Sequence, residues 1–349
     1  MAWPMPILLK NMPSAELQAQ LAAAGVGQPL ARRLQAAAVR RDAYPASGPG
    51  LSAAALARVR ELTRIPRLAV VEKAVSAADS FARYCFAGEG PGVFEAVRIP
   101  LMHRPDDRKY VVCVSSQVGC ALGCAFCATG RLGFQRDLAA WEMVDQVVRI
   151  QADSPHPVRG VVFMGMGEPF LNYDAVIAAA RVLSEPCGMA IAAKAISIST
   201  AGITPGIRRF TAERQPYRLI VSLTSADAAR RRALMPVETR HPTVELMDAL
   251  RAYQAATGRR VTLAWPLIAG FNTRAADARD LAALTRGLPI KLDLIDINDD
   301  TGRFQPPAPA ELSAFRDELR LHLGVPVARR YSGGRDIRAA CGMLAGRAG

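Results

Sequence analysis

Residues 113–134 read CVSSQVGCALGCAFCATGRLGF and carry four of the chain's seven cysteines. Three of them, Cys120, Cys124 and Cys127, fall in a C-x-x-x-C-x-x-C spacing. Three thiolates on one short loop suit three corners of a cubane iron–sulfur cluster, and Gly119, Gly123 and Gly130 free the backbone to fold around so bulky an object. The fourth iron is then left open. A structural zinc site is closed by a fourth Cys or His nearby, and the next candidate, His156, lies too far along for a compact knuckle. Zinc is the lesser alternative.

Outward from this loop, composition bounds the rest. At 349 residues, half of them apolar, the chain can bury a large core and carry a smaller second unit. The opening stretch MAWPMPILLKNMPSAE lacks a charged leader, its apolar run is broken by prolines, and no later stretch reaches ~18 uninterrupted apolar residues. The expectation is a cytoplasmic protein with no membrane partner. Clustered cysteines without an export signal point to ligation or redox chemistry rather than a disulfide framework. A formal charge of +13, from 44 basic and 31 acidic residues, suits a polyanion, nucleic acid first. The plain alternative is an Arg-rich surface with no such partner.

Residues 14–65 read as three short helices, SAELQAQLAAA, QPLARRLQAAAV and SAAALARVRELT, broken by glycine and proline turns. They define a helical accessory domain over 1–75, leaving 76–349 as the main domain. The turn Gly25-Val26-Gly27, followed by Arg32, Arg33, Arg40 and Arg41, is either a phosphate-facing hairpin or an ordinary glycine-capped one. From Ser80, FARYCFA, VFEAVRIPL and KYVVCVSS are strand-like. After the cysteine loop, apolar strands alternate with amphipathic helices about six times, from VVFMGMG to IKLDLIDIN and AELSAFRDELRLHL. This order gives an α/β fold, a partial (β/α)6 barrel with a small helical N-terminal domain. Reactive groups of such a barrel gather at the C-terminal ends of its strands.

Phe126 completes a C-x-x-x-C-x-aromatic-C pattern that resembles the radical S-adenosylmethionine (SAM) superfamily, in which a 4Fe-4S cluster chelates and reductively cleaves SAM. On that footing the strand ends acquire roles. Gly165-Met166-Gly167-Glu168-Pro169 offers close backbone approach and a carboxylate for the SAM amine. Ser199, Ser222-Leu223-Thr224 and Asn298 close three further strands and offer hydroxyl or amide groups to ribose and carboxylate, although each alone reads as a turn or cap. Cys341, in GGRDIRAACGMLAG, is either an inert buried cysteine or, given its glycines and Arg335 and Arg338, a mobile thiol of depressed pKa. Cys113, seven residues before the triplet, is near enough to reach the site, and two thiols there can cycle through a disulfide. Cys85 and Cys187 read as packing residues.

The cysteine loop, GMGEP with Asn172, STAG, Ser222-Leu223, Asn298 and DIRAACG together resemble the RlmN/Cfr family of class A radical SAM RNA methylases, from about Phe81 to the C-terminus. The resemblance implies that Cys341 carries a methyl group, that Cys113 resolves the product through a disulfide, and that Glu95, in FEAVRIP, accepts a proton. It also implies SAM contacts at Gly167, Glu168, Ser199, Ser222 and Asn298, with an electron donor such as flavodoxin or ferredoxin. The acceptor it implies is carbon 2 or carbon 8 of an adenosine in ribosomal RNA, or in transfer RNA. The sequence departs from the family pattern at Thr224, Glu238, Trp265-Pro266, Asp296, Arg335 and Met343, and its N-terminal unit lacks the F-R-x-x-Q…W-I-Y segment. These departures are expected to face the substrate.

Two other readings stand beside this one. The same two-cysteine chemistry can act on a small molecule or peptide, and a cluster- or zinc-holding protein can bind RNA without catalysis.

Overall fold

The computed structural model describes residues 6–47, 51–102 and 108–346. At the N-terminal end lie β1 (Ile7–Leu8), α1 (Ser14–Leu21), α2 (Gln28–Arg41), α3 (Ala53–Leu62) and β2 (Thr63–Arg64). Their apolar stripes meet in a small core of their own, built on Leu9, Leu17, Leu21, Leu34 and Val59. The glycine turn buries Val26 in that core, and Gly25 at φ +76° ends the preceding turn as only a glycine does comfortably. Arg40 is spent on the main domain, donating from Nε to the Gly188 carbonyl at 2.7 Å. The wholly buried Lys10 bonds Asp145 at 2.5 Å and Asp42 at 2.6 Å, stapling this unit to the barrel.

The main sheet begins with an antiparallel meander, β3 (Ala69–Val75), β4 (Ala82–Ala87), β5 (Val93–Leu101) and β6 (Lys109–Val114). Next comes a small ribbon, β7 (Gln117–Gly119) against β8 (Phe134–Asp137), enclosing the short helix α4 (Ala128–Leu132). The chain then runs through α5 (Ala140–Ala152), β9 (Val158–Phe163), α6 (Tyr173–Ser184), β10 (Ile196–Thr200), α7 (Thr204–Ala212) and β11 (Arg218–Ser222). After α8 (Ala228–Leu234) and α9 (Thr243–Thr257) come β12 (Val261–Leu267), α10 (Ala275–Leu284), β13 (Ile290–Asp296), α11 (Pro309–Leu323) and β14 (Val327–Arg330).

Among the described residues the ten strands of this sheet lie in the order β14-β13-β12-β11-β10-β9-β6-β5-β4-β3. From β6 to β14 every neighbouring pair is parallel. Six of these strands are each followed by a helix, the partial (β/α)6 barrel expected, and β14 extends it. Helices cover the strands on one side, which is why an interior strand such as β11 can carry the continuous apolar run Leu219, Ile220 and Val221.

Several elements are not legible in the sequence. β3 pairs with β4, so residues 69–75 go with the sheet rather than with the helices of the 1–75 unit. Its alternating Val, Glu and Lys, exposed along most of the strand, mask the pattern. The helix α5, the β7–β8 ribbon and β14 are equally unannounced. VVFMGMG ends as a strand at Phe163, leaving Met164 to Glu168 as the loop above it.

Candidate active site

The β7–β8 ribbon holds the cysteine loop closed at its neck. The Cys120 N–H donates to the Gly133 carbonyl at 3.0 Å, and the Cys127 N–H to that of Cys124 at 3.1 Å. Gly119 lies at φ +75°, where an added Cβ would fall 1.8 Å from the Gly133 oxygen, so the ribbon closes only around glycine. All three thiols line one cavity of about 170 Å³, together with Gly167, Glu168, Ser199 and Ser222. Burial pushes the Cys120 thiol up to about 12 and the Cys124 thiol higher still, with the neighbouring thiol of Cys127 and the Glu168 carboxylate adding to both. Thiols that oppose one another's ionisation in this way call for a cationic centre between them. Among the described residues no three His, Cys, Asp or Glu side chains converge as ligands of a single ion. A cubane gives each thiolate an iron of its own and asks for no such convergence.

The floor of this cavity is the loop after β9. Glu168 is buried; its Oε1 accepts the Phe170 N–H at 3.0 Å and its Oε2 the Ala201 N–H at 2.8 Å. Burial raises its pKa to about 7 against these bonds. Gly165 and Gly167 line this cavity and are also needed by the chain itself. A Cβ on Gly167 would meet the Gln117 side chain at 2.5 Å and one on Gly165 the Ser115 hydroxyl at 2.7 Å. Asn298 gives its amide to Ser332 Oγ at 2.9 Å and to the Cys341 carbonyl at 3.4 Å, while its buried Oδ1 has no partner among the described residues. Asn298 does not itself line this cavity, although its neighbours Ile297 and Cys341 do.

Not every expected contact is made. Leu223 is wholly buried in the core, and Thr224, at φ +66°, turns its hydroxyl to the Met235 sulfur at 3.0 Å. Neither lines the cavity. Several departures from the family pattern are interior as well. Glu238 pairs with the wholly buried Arg231, and Trp265, buried too, donates from Nε1 to the Asn272 carbonyl at 3.1 Å. Only Pro266 and Asp296 among them line this cavity.

Cys341 lines this cavity and also a second one of about 100 Å³, whose other walls include Cys113 and Cys127. It keeps accessible surface because it faces these cavities, yet the protein around it is dense. Burial raises its thiol, outweighing the Ser332 hydroxyl and Arg330. The depressed pKa expected from nearby arginines is thus corrected, since Arg338 reaches instead to Asp300 at 2.6 Å. Nor is the segment loose. The Cys341 N–H donates to Ser332 Oγ at 3.2 Å, and the Thr129 hydroxyl to the Leu344 carbonyl at 2.6 Å. Cys113 ends β6, deeply buried, and its thiol is pushed far up, first by burial and then by Cys341.

Glu95 is brought to neither cavity. Its Oε1 accepts from Arg83 at 2.6 Å, and its Oε2 accepts the N–H groups of Ala345 and Gly346. Both of its oxygens thus already carry hydrogen bonds within the fold. Sequence reasoning missed Arg83, Ser332 and Arg231. Arg231 donates to the Ala201 and Leu223 carbonyls at 2.6 and 3.1 Å, tying the ends of β10 and β11 beneath the site. Within AARRRAL it reads as one more residue of a solvated basic face.

Three cysteines on one cavity with a buried carboxylate and polar strand ends define a radical SAM enzyme, and the Radical SAM superfamily model matches residues 114–282. Enzymes of this superfamily use a 4Fe-4S cluster and SAM. The chain is 47% identical to a probable RNA methyltransferase of Myxococcus xanthus, over 97% of this chain and 94% of that protein. It is 40% identical to a probable dual-specificity RNA methyltransferase RlmN of Moorella thermoacetica, over 82% of each. A crystal structure of a radical SAM methyltransferase from Sphaerobacter thermophilus superposes with a TM-score of 0.87 at 37% identity, covering 98% of this chain and all of that one. The chain belongs to the RlmN-type family of radical SAM RNA methyltransferases. With that, the non-catalytic RNA-binding alternative falls away. Among the described residues no helix is long and apolar enough to cross a membrane.

Proposed function

We propose that this enzyme methylates carbon 2 or carbon 8 of an adenosine in ribosomal RNA, with transfer RNA as a second acceptor, using Cys341 as methyl carrier and Cys113 as resolving thiol. The observation that carries this reading is the place of Cys341 at the junction of two cavities, one lined by Cys120, Cys124 and Cys127 and the other by Cys113. A cluster held by the triplet supplies, when bound, the single electron that cleaves SAM, drawn from a carrier such as flavodoxin or ferredoxin.

The chain's own groups do the rest. Glu168 receives the amino group of SAM, and Ser199, Ser222 and the orphaned Oδ1 of Asn298 take its ribose and carboxylate, while Gly167 holds the loop that positions Glu168. An adenine ring carbon is not a nucleophile, whereas the sulfur of Cys341 is one once deprotonated. Passing the methyl group through that sulfur separates the polar displacement from the radical step. In the radical step the Cys341 methyl carbon loses a hydrogen atom and joins the ring carbon, and the adduct then gives up the ring proton and one electron, taken by the oxidised carrier. The Cys113 thiolate bonds its sulfur to that of Cys341, the carbon–sulfur bond breaks with its electron pair on carbon, and that carbon takes a proton to become the methyl group. Residues 1–75, apart from the sheet strand at 69–75, form the accessory unit that engages RNA, with Arg32, Arg33 and Arg41 exposed on α2, and residues 76–349 with that strand carry the reaction. The name dual-specificity borne by a relative supports more than one RNA acceptor.

The test is anaerobic incubation of reconstituted enzyme with isotopically labelled SAM, reductant and total RNA, followed by digestion to nucleosides. Label is expected in 2-methyladenosine or 8-methyladenosine. Methylated Cys341 with no labelled nucleoside would overturn the reading.

A further inference from the structure

We infer that Glu95 is a positioning residue, whose carboxylate latches the C-terminal segment and so fixes Cys341 where its two cavities meet. The consequence for catalysis rests on the methyl-carrier reading of Cys341; the latch itself does not.

Glu95 lies on β5 and is wholly buried. A single oxygen, Oε2, accepts two successive backbone N–H groups, from Ala345 at 2.8 Å and Gly346 at 3.0 Å. Adjacent N–H groups converging on one anionic oxygen form a nest, and such bonds to a charged acceptor are stronger than neutral ones. The other oxygen, Oε1, is fixed by Arg83 Nη1 at 2.6 Å, and Arg83 is itself held by Glu72 at 2.6 Å. The acceptor is therefore set in place before the tail arrives. Gly346 adopts φ +59°, with a built Cβ only 2.8 Å from the Val93 carbonyl, so the tail presses closely against the start of β5.

The sheet register joins this latch to the reacting thiols. Val97, two residues beyond Glu95 and on the same sheet face, pairs with Cys113 and lines the cavity that Cys113 shares with Cys341. The tail is thus held on both sides of Leu344, by Thr129 from the cysteine loop and by Glu95 from β5. Loss of the carboxylate leaves two buried or half-buried N–H groups without an acceptor, and the segment has then only its contacts around the cysteine loop and Ser332.

Hydrogen–deuterium exchange of residues 342–346 in protein free of RNA and SAM tests the latch, comparing wild type, Glu95→Ala and Glu95→Gln. In Glu95→Ala the tail amides are expected to exchange about tenfold faster or more, with faster alkylation of Cys341 by iodoacetamide. Glu95→Gln keeps an oxygen able to accept both N–H groups and is expected to recover most of the protection. Turnover with labelled SAM should rank in the same order, Gln well above Ala. Unchanged tail exchange in Glu95→Ala overturns the latch. Equal loss of turnover in both variants with the tail still protected also overturns it, and assigns the carboxylate to proton transfer. Arg83→Gln, which frees the acceptor without removing it, should give intermediate exchange and serves where Glu95→Ala does not fold; wild-type exchange in it counts against the latch. Because exchange is read without RNA, a wrong choice of acceptor would abolish nucleoside label in the wild type and leave the exchange result standing.

Discussion

The Ala128 N–H donates to the carbonyl of Gly342 at 2.8 Å, so the residue after the cysteine triplet is bonded to the residue after Cys341. The loop of the cysteine triplet and the sulfur proposed to receive the methyl group are thereby held in register. A second bond close by, from Thr129 to Leu344, supports the first. Thr129→Val keeps the shape but leaves a buried carbonyl without its donor, at a cost of about 1–2 kcal/mol. Denaturant titration should show this loss, with faster alkylation of Cys341 than in the wild type.

Cys113 and Cys341 face one cavity, and the resolving role predicts a stalled intermediate once Cys113 is removed. Cys113→Ala should retain methylation of Cys341 and SAM cleavage but halt with RNA joined to Cys341. Denaturing gels and mass mapping of the crosslinked peptide check this. Continued release of methylated nucleoside without an adduct would refute the role.

Glu168 sets a pH dependence of definite sign. Its pKa of about 7 in the fold lies above the ordinary carboxyl value of 4.5, so between these pH values the folded protein holds a proton that the unfolded chain has released. Its contribution to stability is full below about pH 4.5, declines as pH rises toward 7, and is flat above. Thermal melts of SAM-free protein from pH 5 to 8 should show wild type losing stability relative to Glu168→Gln as pH rises. SAM binding runs the opposite way. On the proposed contact of the SAM ammonium group with this carboxylate, affinity should fall by up to about tenfold per pH unit below the pKa, as read by anaerobic calorimetry.

The pair Arg231–Glu238 is wholly buried, and Glu238 also accepts from the Thr243 N–H at 2.9 Å. Burial pulls the Arg231 pKa down while Glu238 opposes the shift. Arg231→Met strands both the carboxylate and the Ala201 carbonyl and should cost about 3–5 kcal/mol. Replacing both partners by apolar residues should cost less than the sum of the single changes, as a double-mutant cycle by denaturation would measure.

Periodicity makes the strands and helices from β9 to α11 legible, because each strand is buried from both faces and each helix from one. The cysteine triplet is legible because three metal-binding side chains on one loop have few other uses. Pairing across distance is not. Glu95 reads in FEAVRIP as an isolated carboxylate, and only the fold brings it the Ala345 and Gly346 N–H groups. Arg338 reads as a neighbour that would acidify Cys341, whereas Asp300 takes it. The glycines at 165 and 167 announce close approach without saying to what. Thr224 and Trp265 look like site residues at strand ends, yet their side chains turn inward to Met235 and Asn272.

The bond from Ala345 to Glu95 spans 250 positions of sequence, and this imposes an order of assembly. In chain order the cysteine loop and the berth on β5 both precede most of the barrel whereas residues 341–346 follow it, so the berth waits through synthesis of the whole barrel. A nascent or C-terminally clipped chain can therefore hold the parts that start radical chemistry while lacking the sulfur that directs it. On the proposed role of Cys341, docking of residues 341–346 brings to the radical site the sulfur that directs it toward methylation.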